Sequence, residues 1–208
     1  MTMKSLLRSN SLFKSLLAVS ILTAALFGSQ TATAQEEMRE GRTYIGAAGT
    51  RINHRSVDED LNGQGWSSAA ALIIGTHVSE YFHAELRLGS GVSPGTVDGQ
   101  LEVDLDYFAS WYFGGHYPVT GYSNAYAQFG FTHVKGDAKL TDGQLGQNYQ
   151  EIADNKYPGS SFSVSWLVGL DFEVIDNGFV FLEGGKLFED TETNANVFQY
   201  SLGAKYEF

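Results

Sequence analysis

Three groups of side chains in this sequence have the types and spacing to do chemistry, and each makes a different demand on the chain around it. In "DEDLNG", Asp58, Asp60, Asn62 and Gly63 stand at the first, third, fifth and sixth positions of a calcium-binding loop, which gathers oxygens closely around a hard cation. The twelfth position should be Glu; it is Ala69, in a stretch that alternates like a strand. An acidic, solvated loop is the better reading. Acyl hydrolysis would need a Ser nucleophile with a His base in reach, and His two residues before Ser on one strand would supply both. His133 is the nearest candidate, and residue 135 is Lys, so the pair fails. His77, His83 and His116 fall near expected turns, and His54 falls in an expected loop with no obvious Ser partner, each isolated in the sequence. No catalytic, cofactor-binding or metal-binding residue is therefore assigned, and no enzyme is expected. The third group is ionic: Glu85, Arg87, Asp104, Asp106 and Glu183 lie on segments of alternating polarity, where buried pairing would make them structural.

The two ends of the chain indicate where the elements carrying these residues work. Residues 1–14 hold Lys4, Arg8 and Lys14 with no acid, residues 15–27 ("SLLAVSILTAALF") form an apolar run, and "TATAQ" offers small residues at Ala32 and Ala34. That order is a secretory signal peptide, cut after Ala34, whose apolar run is shorter than the about 20 residues a membrane helix needs. A buried N-terminal helix would require neither this charge placement nor the small-x-small site. Residues 35–208 remain as one domain. The whole chain has 13 Lys+Arg against 24 Asp+Glu, and because three of the cations lie in the leader the remainder is more acidic still. Nucleic acid is excluded as a partner, since phosphate binding depends on basic patches. With no cysteine, neither disulfides nor thiolate metal sites are available.

Helical periodicity is missing from the mature chain, and period-two alternation recurs in eight segments, each about as long as a tilted membrane strand of 9–11 residues. In "SFSVSWLVGLDFEV", Phe162, Val164, Trp166, Val168, Leu170, Phe172 and Val174 share one face. "LEVDLDYFASWYF" sets Leu101, Val103, Leu105, Tyr107, Ala109, Trp111 and Phe113 against Glu102, Asp104, Asp106, Phe108, Ser110 and Tyr112. "FHAELRL" sets Phe82, Ala84, Leu86 and Leu88 against His83, Glu85 and Arg87. The other strands are expected at 42–52, 66–77, 122–134, 178–188 and 196–208. Short links at 78–80, 115–121 and 175–178 alternate with longer polar ones at 53–65, 91–100, 135–160 and 189–195; Asn177-Gly178 is a tight hairpin signal. The predicted fold is all-β, an eight-stranded antiparallel up-and-down transmembrane barrel with both termini at the short-turn, periplasmic end.

A soluble barrel alternates too, with its apolar face inward. Aromatics near strand ends (Trp66, Tyr81, Phe82, Trp111, Tyr112, Phe113, Tyr206, Phe208) favour the membrane form, as girdles would. Eight strands leave an interior just wide enough for side chains. The polar face then becomes a packed lumen whose charges must pair. With a hairpin about "SPG" (93–95), Arg87 falls near Asp104 and Asp106; Glu85 and Glu183 face the lumen, and Lys205 and Glu207 line its periplasmic end. Gly184-Gly185 is a candidate bulge that would shift the register around Glu183.

With leader, strands and alternating loops in place, residues 42–208 resemble the small outer-membrane β-barrel family that includes OmpA-like transmembrane domains, OmpX and the opacity proteins. The most specific match is the C-terminal assembly signal, carried by Ser201, Gly203, Tyr206 and Phe208; "TYIGAAG" and "AYAQFGF" look like the family's opening and central strands. The resemblance implies a bacterial outer-membrane location among lipid and lipopolysaccharide, and handling by the barrel-assembly machinery through the last strand. It implies a non-enzymatic envelope or surface-interaction role through the loops, with no cofactor. A narrow solute channel is the alternative, and the surface ligand is not specified.

Overall fold

The computed structural model of the chain describes residues 39–55, 63–141, 149, 153, 157–190 and 195–208. The proposed leader therefore lies outside the described residues, as do Asp58, Asp60 and Asn62 of the calcium-like motif. Nine strand segments form one antiparallel sheet: β1 (Thr43–Arg55), β2 (Gln64–His77), β3 (Phe82–Ser93), β4 (Gly95–Val97), β5 (Leu101–Thr120), β6 (Ser123–Leu140), β7 (Phe162–Ile175), β8 (Gly178–Glu189) and β9 (Asn196–Glu207). β3 and β4 both pair with β5 and are one stave interrupted at Pro94, which has no N–H to give the ladder. Eight staves result. β9 closes on β1 from Tyr44 opposite Glu207 to Arg55 opposite Asn196, so no sheet edge is left open.

Alternation decides which side chains go in. On β7, Phe162, Val164, Trp166, Val168, Leu170, Phe172 and Val174 all point out and are exposed, while Ser165, Leu167 and Asp171 are buried. The same outward stripe continues around the barrel through Leu72 (64% exposed), Phe113 (65%) and Leu182 (60%). So continuous an apolar girdle would be a severe aggregation liability in water and is the surface lipid requires. Trp66, Tyr107 and Phe162 ring one end on the outside; Tyr81, Phe82, Tyr117, Tyr122, Tyr206 and Phe208 ring the other. Tyr112 does not belong to a girdle, because it points inward and is buried.

One bulge redraws a face assignment. On β5 the pairing with β6 steps from Leu105–Gly136 to Tyr107–Lys135, leaving Asp106 as an extra residue. Parity flips there: Tyr107, Ala109, Trp111 and Phe113 point out as expected, but Leu101, Val103 and Leu105 point in. Glu102, Asp104 and Asp106 are exposed on the outside, beyond the lumen. On β8 the bulge falls at Leu187, between the Lys186–Phe198 and Phe188–Val197 pairs, past the two glycines, and Glu183 keeps its inward position.

Connections differ in length at the two ends. β5 runs through to Thr120, so the expected 115–121 link shrinks to Gly121 and Tyr122; β7 and β8 turn tightly with Asn177 at φ 61°. At the other end β6 reaches Leu140, and the β4–β5 turn uses Asp98 and Gly99 at φ 50° and 71°.

Several inward aromatics lie over the glycine paired with them on the next strand: Tyr44 over Gly75, Phe108 over Gly89, Tyr126 over Gly169 and Phe181 over Gly203. A Cβ at Gly75 would overlap the Tyr44 ring, so glycine there makes room for an aromatic that covers its backbone.

The lumen has two halves. Toward the long-loop end it is apolar, with Ile52, Val97, Leu101, Val103, Leu105, Phe108, Val134, Leu187, Phe188 and Val197 buried together with Tyr149 and Tyr157 from the β6–β7 connection. Toward the end at which β1 begins and β9 ends it is polar.

Candidate functional site

The polar half is built on Arg87, which the inward parity of β3 places at the centre of the barrel with 4% exposure. Its guanidinium meets Glu85 through Nε and grips both carboxylate oxygens of Glu183 on β8, with Nη2 to Oε2 at 2.9 Å, and Nη2 also donates to Gln128 Oε1 at 3.2 Å. Tyr44 donates to Glu85 at 2.8 Å and Tyr126 to Glu183 at 2.7 Å. The Tyr112 ring lies 5.3 Å from the guanidinium carbon. A buried guanidinium and two buried carboxylates are costly unless paired and hydrogen-bonded throughout, and here β1, β3, β6 and β8 all contribute partners. Chemically the cluster is a plug that ties opposite walls together.

Glu85, Arg87 and Glu183 are thus brought together. Asp104 and Asp106 are not: the Asp106 bulge turns them outward, and the residue opposite Arg87 on β5 is Ser110. Asp106 instead lies 3.7 Å from Lys135, both well exposed.

Below the plug, Lys205 Nζ donates to Asp171 at 2.7 Å and sits between the rings of Tyr44 and Tyr126, 5.2 and 5.7 Å from their centroids. Asn124 also donates to Asp171, at 2.6 Å. Glu207 takes a bond from His77 at 3.1 Å, with Arg39 3.8 Å away. His77, His83 and His116, isolated in the sequence, are gathered by the structure. Their ring centroids are 5.0–6.0 Å apart, and one ring nitrogen of each lies within 4.8 Å of those of the other two. Among the described residues this is the group of side chains with the geometry to hold a metal ion. Parity was the overlooked signal. His77 continues the inward series of β2, His83 precedes Glu85 and Arg87 on β3, and His116 follows Tyr112 and Gly114 on β5.

At the loop end, β1 runs to Arg55, so His54 is an inward strand residue and not a loop residue. Its Nε2 meets Ser67 Oγ at 2.9 Å and its Nδ1 meets the Tyr157 hydroxyl at 3.1 Å. A Ser–His contact invites comparison with an acyl-transfer dyad, which needs a carboxylate behind the imidazole and a path for substrate. Here the group behind His54 is a phenol, and Ser67 and His54 are 2% and 0% exposed. Burial pushes the Tyr157 phenol far above its ordinary pKa, and the Asp190 carboxylate adds to the effect. It stays neutral. Asp190 accepts from the Gly159 and Ser160 amides at 2.8 and 2.9 Å, and Tyr149 donates to Asp98 at 2.6 Å, so the arrangement fastens the long connection into the barrel mouth. His133 faces outward beside Tyr107. Ala69 is buried on β2, where the calcium reading needed a ligand.

In the last strand, Ser201 points in and bonds Thr50 at 3.0 Å, Gly203 lies under Phe181, and Tyr206 and Phe208 are exposed on the outside. The Phe208 backbone exchanges two hydrogen bonds with Thr43, at 2.8 and 3.0 Å.

With this architecture established, its relatives can be set beside it. Neisserial surface protein A is 15% identical, with a TM-score of 0.52 over 81% of this chain and 100% of its own. Ail, the attachment invasion locus protein of Yersinia pestis, is 16% identical, with a TM-score of 0.51 over 81% of this chain and 99% of its own. OprG from Pseudomonas aeruginosa is 12% identical, with a TM-score of 0.51 over 82% of this chain and 97% of its own. At these identities the likeness is one of fold. No curated protein matches the sequence. The model of the outer membrane protein beta-barrel domain matches residues 20–208, and the chain belongs to that family of Gram-negative outer-membrane barrels.

Proposed function

We propose that this protein is a non-conducting, non-enzymatic outer-membrane barrel that serves envelope integrity or surface interaction through its long loops, with its leader cut after Ala34 and both termini in the periplasm. The filled lumen carries this reading. The Arg87–Glu85–Glu183 cluster occupies its centre, and the apolar layer with Tyr149 and Tyr157 lies at its loop end, which supports a plug over an open aqueous path. The buried Ser67–His54 contact has neither the carboxylate nor the access that hydrolysis requires.

The proposed orientation has support on the outer face. Near the loop end Arg51 lies over Trp66 and Arg55 over Phe198, at 6.0 and 4.8 Å, with Tyr200 packed against Trp66 at 5.9 Å. Cations beside interfacial aromatics suit an outer leaflet of lipopolysaccharide, whose phosphates would meet them. The Ser201–Phe208 strand would be what the barrel-assembly machinery reads.

Planar-bilayer recording of the purified protein tests this. Silence at voltages that resolve open porins is expected; discrete, reproducible openings would overturn the plug and favour a narrow solute channel.

A further inference from the structure

We propose that His77, His83 and His116 form a binding site for a divalent transition-metal ion of the zinc class, held by imidazoles from β2, β3 and β5 at the terminus-bearing end of the lumen. All three residues are buried, and the Nδ1 atom of each is buried without a hydrogen-bond partner. Three orphaned ring nitrogens on facing side chains are an expense that packing alone leaves standing, and a metal ion removes it. One ring nitrogen of each, Nδ1 or Nε2, lies within 4.8 Å of those of the other two. Tetrahedral zinc at about 2.0–2.1 Å per nitrogen brings its ligands to about 3.4 Å apart. Binding therefore requires the rings to draw together by rotation about their side-chain torsions.

The surroundings match what such a site needs. Glu207 holds His77 through Nε2 at 3.1 Å, the carboxylate–histidine arrangement that orients a ligand and raises its basicity. His83 Nε2 is held by the Gln128 amide at 2.8 Å, and Gln128 Oε1 is itself fixed by Arg87 at 3.2 Å. With Oε1 committed to Arg87, the Gln128 amide nitrogen donates to His83, which places the His83 proton on Nδ1. A neutral His83 ligates through Nδ1 once that proton has moved to Nε2, where Gln128 Oε1 accepts it after the amide turns over and gives up its bond from Arg87. Around this end of the lumen Asp171 and Glu207 stand against Lys205 and Arg39, while Glu85 and Glu183 are met by Arg87. A small cavity bordered by all three histidines and by their neighbours has room for about one water-sized group. Three imidazoles without a thiolate favour zinc, copper, nickel or cobalt over calcium or magnesium.

The site joins the β2–β3 turn to β5, so an ion there would pin the end of the barrel at which the chain enters and leaves. The test uses the tag-free protein extracted in detergent and stripped with a chelator, titrated with Zn2+ by calorimetry and with Co2+ by visible absorption. One ion per chain is expected, with the cobalt bands of a nitrogen-rich tetrahedral site. Affinity should fall at least about tenfold in His83→Gln and in His116→Gln, and stay unchanged in His133→Gln. Heat-modifiable migration verifies that each variant is folded. If folded wild-type protein takes up no ion at millimolar Zn2+, or if the variants at 83 and 116 bind as well as wild type, the proposal is wrong. If both variants fail to fold, the wild-type cobalt spectrum decides alone: octahedral, oxygen-type bands would overturn it.

Discussion

Arg87 on β3 and Glu183 on β8 face each other across the lumen, 96 residues apart in the sequence, with Nη2 donating to Oε2 at 2.9 Å. The contact spans the barrel between staves that share no hydrogen-bonded ladder. Removing the guanidinium strands two buried carboxylates. Arg87→Met should therefore cost about 3–5 kcal/mol in urea unfolding of the refolded protein. Glu183→Gln, which keeps acceptors in place, should cost less. A loss below about 1 kcal/mol for Arg87→Met would mean that water reaches the cluster.

The Asp106 bulge makes a prediction about faces. The chain has no cysteine, so single cysteines report cleanly. Glu102→Cys should be labelled by a membrane-impermeant maleimide on intact cells, and Val103→Cys should be protected. Reversed reactivity would show that the alternation runs unbroken through Asp106.

Gly75 lies directly opposite Tyr44, whose ring occupies the place of any Cβ. Gly75→Ala must displace that ring and disturb its bond to Glu85, and should destabilise by about 1–3 kcal/mol. Made in a Tyr44→Ala background, which carries its own loss, Gly75→Ala should cost less than it does alone, since the clash is gone. An equal cost of Gly75→Ala in both backgrounds would count against the ring as the cause.

Phe208 pairs with Thr43 through its backbone while its side chain is 67% exposed. Phe208→Ala keeps the ladder and should leave unfolding of refolded protein within about 0.5 kcal/mol of wild type. Its assembly in cells, read as the heat-modifiable fraction in the outer membrane, should fall severalfold. Normal assembly would separate the terminal aromatic from any sorting role.

Ser67 and His54 touch, and the hydroxyl is 2% exposed. A fluorophosphonate probe should not label the folded protein, and lipid A mass spectra should be the same with and without it. Labelling that disappears in Ser67→Ala would show an enzyme.

What the sequence allowed and withheld follows from the range of each signal. On β7 alternation was uninterrupted, and every outward residue could be read from it. On β5 one inserted residue reversed the parity of everything before it, and no local composition marks Asp106 as the point where that happens. The Arg87 cluster was half legible, because parity places Glu85, Arg87 and Glu183 inward but cannot say which inward residues meet across a closed ring. The histidine triad needed both parity and the knowledge that β3 lies between β2 and β5. The contact of Tyr157 with His54, 103 residues apart, has no periodic signal at all.

The seam between β1 and β9 also sets a timetable. Thr43 is bonded to Phe208, so the ring has its final partner only when β9 has been made. Until then the outward stripe of Leu72, Phe113 and Leu182 has neither lipid nor a neighbour to cover it, and long-range closure of this kind is slow. An unclosed ring is therefore exposed to aggregation for as long as closure takes, and its survival is a matter of kinetics before it is one of stability.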